Sequence, residues 1–142
     1  MKTAGQNRRH LLLGVTGGIA TGKSAVAEML REKGALTIDF DLLAREIQAP
    51  GQPAYHEIAE YFGNQVLLDD GTLDRKRLSE IVFSDPAKKA MLERFTHPRI
   101  KEAFRSLFQR YIVEHPSAIV QAVIPLLIES RMQHLFDRIL LV

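Results

Sequence analysis

The stretch Gly17 to Ser24, GGIATGKS, constrains this chain more than any other. It fits G-x-x-x-x-G-K-[ST], a pattern that carries meaning only between a strand and a helix. Both flanks are present. Leu11 to Val15 form an apolar run closed by glycine, as expected of a strand buried on both faces of a parallel sheet. Beyond the turn, Val26, Met29 and Leu30 recur at helical spacing, and Gly34 supplies a stop. Glycine loses more chain entropy on ordering than any other residue, so Gly17, Gly18 and Gly22 around one lysine imply that the backbone wraps something. The expected guest is phosphate. Backbone N–H groups from about Ala20 to Ser24 would converge on its oxygens at the positive end of the following helix. Lys23 would bridge the outer phosphates, and Ser24 would offer its hydroxyl to Mg²⁺. A chance match in a chain this long is on the order of one in a hundred or rarer. The plain alternative is a tight glycine turn with an exposed lysine; the G-x-G-x-x-G dinucleotide fingerprint has a different spacing.

Composition narrows the partners. The chain has 142 residues, 46% hydrophobic and 25% charged, enough for a globular domain with a real core. Nineteen basic against seventeen acidic side chains leave a net charge of +2, too little to propose nucleic acid or an anionic membrane as the main partner. Anion binding must therefore be local. The absence of cysteine excludes disulfides, thiolate zinc sites and cysteine nucleophiles, is compatible with a reducing compartment, and makes the cytoplasm the simplest assignment. The opening MKTAGQNRRHLLLGV has a basic start, but its apolar run is too short for a signal sequence and stops at glycines, so residues 1–8 read as a tail. No apolar stretch approaches the ~18 residues of a membrane span.

ALTID, residues 35–39, supplies a second strand and completes a βαβ-like opening, so the sheet should be mainly parallel. Between Asp41 and Glu114 every periodic segment is helical: 42–48, 54–62, 75–83, 86–95 and 98–114. Asp74, Asp85 and His97 precede three of these, with Pro86 and Pro98 at first helical positions. In the last of them Ile100, Phe104, Leu107, Phe108, Tyr111 and Ile112 make one apolar stripe. Strand patterns return at Ala118 to Ile124 and at RILLV, residues 138–142. The expected fold is α/β, a parallel sheet with flanking helices, with a nucleotide-binding core over 9–43 and 115–142. A helical insertion fills 44–114. An apolar strand as the last element suggests that the fold continues past Val142.

IDFD places Asp39 and Asp41 two apart, so in an extended segment they share one face. Ligands of open α/β sheets sit beyond the carboxyl ends of the strands, the edge where the glycine loop also lies. One carboxylate could take a proton from an attacking hydroxyl and the other orient Mg²⁺ through water. A strand-end polar residue at Asp39 and an N-cap at Asp41 explain the pair equally well.

GVTGGIATGKS, TIDFDLLAREI, PGQPAYHEIAEYFG, DGTLDRKRLSEIVFSDP, HPRI and PLLIES resemble, in order and spacing, the dephospho-coenzyme A kinase family from about Leu11 to Val142. The resemblance implies a P-loop kinase sheet, a helical substrate domain and a closing lid. It also implies transfer of the ATP γ-phosphate, with Mg²⁺, to the ribose 3′-hydroxyl of dephospho-coenzyme A. ATP would be held by Gly17, Gly18, Ile19, Ala20, Thr21, Gly22, Lys23, Ser24 and Ala25. The family's acidic pair falls on Asp39 and Asp41, with Asp41 the candidate base, and Lys23 completes the catalytic set. Thr16, Asp41, Arg45, His97, Leu126 and Leu127 match positions near substrate, in the cleft between the loop and the helical block. Ser24 is the candidate metal ligand. For His97 a helix start, and for Leu126 and Leu127 core packing, are the competing readings. Ala20 stands where the family more often has glycine, and Val123 and Ile124 leave no carboxylate at the end of the third strand. The family's arginine-bearing lid and final strand would lie past Val142, so weak activity is expected of this chain. Another P-loop small-molecule kinase, of nucleoside monophosphate or shikimate type, and a non-catalytic ATP-binding regulatory module are the alternatives.

Overall fold

The apolar runs become the strands of one parallel sheet. The computed structural model describes residues 10–18, 22–125 and 132–142. Strand β1 (Leu11–Thr16) leads to helix α1 (Lys23–Glu32), β2 (Leu36–Asp39) and α2 (Phe40–Ile47). Helices α3 (Pro53–Phe62), α4 (Arg75–Phe83) and α5 (Pro86–Glu114) follow, then β3 (Ile119–Val123) and β4 (Arg138–Leu141). The sheet order is β2-β3-β1-β4, and all three pairings are parallel.

The chain divides into two compact units, residues 1–41 with 104–142, and residues 42–103. In the first, β1 and β3 are central and carry fully buried Val15, Val120, Ala122 and Gln121. Helix α1 ends as Gly34 indicates: this residue has φ +107°, its N–H bonds the Arg31 carbonyl and that of Ala35 bonds Leu30. Those crossed bonds close a Schellman motif. At the β4 side, Asp137 works as a clasp that sequence patterning does not reveal. Its carboxylate accepts the Leu12 N–H at 2.8 Å, and its own N–H donates to the Leu12 carbonyl at 2.9 Å, so β1 is paired before β4 begins.

The second unit is helical. Ile58, Phe62, Val66, Leu73 and Leu78 form its core, with Tyr55, Leu92 and Phe95 packed against it. Asp74 caps α4 through the Arg77 N–H, and Asp85 accepts from the N–H groups of Ala87 and Lys88 at the start of α5.

Two boundaries differ from those expected. The segments 86–95 and 98–114 are a single helix, with Pro98 inside it and His97 in mid-helix rather than at a start. Proline removes one ladder donor and crowds the preceding turn. Side chains bond carbonyls in that turn: Thr96 Oγ1 donates to Leu92 at 2.9 Å and Arg99 Nη1 to Phe95 at 2.9 Å. Arg99 also pairs with Glu57. The helical unit stops at Ala103 instead of Glu114. From Phe104 onward α5 belongs to the sheet unit, because Phe104 is buried against Phe40, Phe108 and Phe136.

Candidate active site

Register decides what meets at the carboxyl edge of the sheet. Asp39, Val123, Val15 and Leu140 form one row across the four strands. Asp39 is therefore two strand spacings, about 10 Å, from Val15. Thr16 follows Val15 and is buried at 3% exposure, and the glycine loop begins with Gly17, half-buried, and Gly18, exposed. Val123, between Asp39 and Val15 in the row, brings an apolar side chain and no carboxylate to this edge.

The loop enters α1 through Gly22, whose φ of +91° is left-handed. A Cβ built there meets nothing within 4 Å, so conformation alone demands glycine. Gly22→Ala is accordingly expected to lose about 1 to 2 kcal/mol, the strain of a left-handed alanine, and no more. Urea unfolding checks it; a larger loss means a packing role.

Among the described residues no side chain caps the first turn of α1. Its N-cap is a glycine with no side-chain hydrogen bond, no acidic residue lies in the first turn, and the first helical bond runs from the Val26 N–H to the Gly22 carbonyl. The N–H groups of the first helical residues have no intrahelical acceptor and sit at the positive end of the helix dipole. Lys23, half-buried, is the first helical residue; Ser24 and Ala25 are exposed beside it. Ile19, Ala20, Thr21, Leu126 and Leu127 lie outside the described residues.

The acidic pair is arranged differently from the extended segment expected. Strand β2 ends at Asp39 and α2 starts at Phe40, so the alternation of faces stops between the two aspartates. Asp39 is the capping residue: its Oδ1 accepts the Asp41 N–H at 2.9 Å. Asp41 is then not an N-cap but an exposed residue in the first turn of α2, where negative charge complements the dipole. Phe40 between them is buried and anchors the junction. The sheet unit thus carries Thr16, the loop, Lys23, Ser24, Asp39 and Asp41, while Arg45 and His97, both exposed, belong to the helical unit.

Among the described residues no group of three His, Cys, Asp or Glu side chains could hold a metal ion, and no helix is long and apolar enough to cross a membrane.

A model of the dephospho-CoA kinase family, CoaE, matches residues 11–142. This chain belongs to that family. A dephospho-CoA kinase of Moorella thermoacetica is 45% identical over 128 residues, 90% of this chain and 60% of the relative. Among solved structures, the TT1252 protein of Thermus thermophilus superposes with a TM-score of 0.77 at 31% identity, covering 94% of this chain and 65% of its own. The dephospho-CoA kinase of Campylobacter jejuni gives 0.64 at 33% identity, covering 85% and 60%. The fold is therefore the P-loop α/β sheet, and the chain spans about three fifths of the length of the Moorella relative.

Proposed function

We propose that this chain acts as a dephospho-CoA kinase, moving the γ-phosphoryl group of ATP to the ribose 3′-hydroxyl of dephospho-coenzyme A and releasing ADP and coenzyme A. The observation that carries the reading is the uncapped first turn of α1 behind a left-handed Gly22, on the same sheet edge as Asp39, in a chain of this family. The loop from Gly17 to Ala25 binds the phosphates of ATP, and Lys23 neutralises charge on the transferring group. Asp41 accepts the proton of the 3′-hydroxyl as its oxygen bonds phosphorus and the bond to the ADP oxygen breaks. Thr16, Arg45, His97, Leu126 and Leu127 contact the acceptor substrate.

Mg²⁺ suits the donors present, because this ion keeps several waters and takes phosphate oxygens rather than an all-protein cage. Ser24 would hold it through its hydroxyl and Asp39 through water. When bound with ATP it supplies charge neutralisation on the phosphates. The cytoplasm is the compartment that fits these substrates.

Acceptor choice is read by titrating the protein with dephospho-coenzyme A, shikimate and AMP. Dephospho-coenzyme A at a hundredfold excess over its Kd is expected to add about 2.7 kcal/mol of stability. The same concentration of the other two should add far less. Equal stabilisation by all three removes the substrate assignment.

A further inference from the structure

Gln121 is the one amide in an otherwise apolar strand, and it is fully buried. Its Nε2 donates twice, to the Ala27 carbonyl in α1 at 2.7 Å and to Thr37 Oγ1 in β2 at 3.0 Å. A carbonyl can only accept, so the amide nitrogen must face Ala27 and the orientation of the group is forced. Its Oε1 is buried with no partner among the described residues. An amide that leaves an acceptor orphaned is a poor device for stability, since an apolar side chain of similar shape carries no such cost. Its effect is geometric.

The two partners are informative by position. Ala27 lies one helical turn beyond Lys23 and Ser24, so its carbonyl marks the depth and rotation of the turn that presents them. Thr37 precedes Asp39 by two residues in β2 and so shares its face. Thr37, Gln121 and Leu13 also stand in one row of the sheet, two residues below the row of Asp39, Val123 and Val15.

We infer that Gln121 is a positioning residue, whose amide fixes the first turn of α1, carrying Lys23 and Ser24, against the strand that ends in Asp39. The functional consequence rests on the phosphate-loop reading above. Without the amide, the bonds that tie the Ala27 carbonyl of α1 and the Thr37 hydroxyl of β2 to one side chain are gone, and the phosphate-binding N–H groups lose their fixed distance from the Asp39 edge.

Two measurements separate this inference from the reading beneath it. Hydrogen exchange on the ligand-free protein tests the positioning alone: in Gln121→Met, the hydrogen-bonded amides of α1 from Val26 onward should exchange about tenfold faster while β1 and β3 stay as protected as in wild type. Mg-ATP titration tests the consequence: the Kd should rise about tenfold, within the range by which residues outside a binding site modulate it, while the urea midpoint moves little. Unchanged exchange in α1, or unchanged Kd in a folded Gln121→Met, overturns the inference. Lack of Mg-ATP binding by wild type overturns the phosphate-loop reading instead, and leaves the exchange result to decide the positioning. If Gln121→Met does not fold, Thr37→Val removes only the β2 arm and should raise exchange in α1 and the Kd about threefold, with Thr37→Ser restoring both. A Thr37→Val protein like wild type in both readouts overturns the inference equally.

Discussion

Lys23→Ala is expected to abolish the stabilisation that Mg-ATP confers while leaving the fold intact. Lys23 begins α1, and among the described residues it takes part in none of the ion pairs. Alanine is the best helix former, so the ligand-free variant should unfold within about 0.5 kcal/mol of wild type. Wild type at a hundredfold excess of Mg-ATP over Kd should gain about 2.7 kcal/mol, because a ligand that binds only the native state stabilises it by mass action. For a chain of this size that is a rise of roughly 5 to 10 °C in Tm. The variant should show almost none of it. The lysine is the only positive side chain in the first turn of α1, and the backbone N–H groups that remain offer partial charges alone. Thermal shift with and without Mg-ATP reads the difference directly. Equal shifts for the two proteins would mean that the glycine turn holds no phosphate, and the proposed function would fall with it.

How much of this was legible in the sequence depended on whether the deciding interaction was local. Strand β1 and helix α1 were legible because a contiguous apolar run, apolar residues at helical spacing and a Gly34 stop are all read within the segment itself. Helix α4 occupies 75–83 as expected, because its Asp74 cap bonds three residues ahead. Pro98 misled for the opposite reason. Proline at a first helical position and proline tolerated within a helix look alike in sequence, and here α5 runs on through Pro98. The acidic pair misled because β2 passes into α2 with no residue between, so period two gives way to period 3.6 inside the motif. Asp137 and Gln121 bond residues 125, 94 and 84 positions away, and nothing in their own neighbourhoods marks them beyond a polar residue beside or within an apolar strand.

Asp41→Asn is expected to lower the rate of phosphoryl transfer by about 10²-fold to 10⁴-fold, the usual worth of a positioned proton acceptor. The structure makes this exchange cleaner than the sequence allowed. Since Asp39, not Asp41, accepts the bond that caps α2, asparagine at 41 leaves the cap in place. What it loses locally is one favourable charge at a helix N-terminus, about 0.3 to 1 kcal/mol of stability. A fall of 10² in rate corresponds to about 2.7 kcal/mol, so the effect on chemistry should exceed the effect on folding severalfold. Mg-ATP binding should be unchanged. Asp39→Asn is the internal comparison. Its amide oxygen can still cap α2, so it too should fold, but its defect should appear in the Mg²⁺ dependence of the rate rather than in the pH profile. Single-turnover measurements with protein in excess over dephospho-coenzyme A read both variants even where turnover is slow. A loose transition state needs little help from a base, and in that case alignment of the hydroxyl would dominate and the loss at Asp41 would be smaller. A rate near that of wild type in Asp41→Asn, with Asp39→Asn impaired, would remove Asp41 from the catalytic set and leave the strand-end carboxylate as the group that matters.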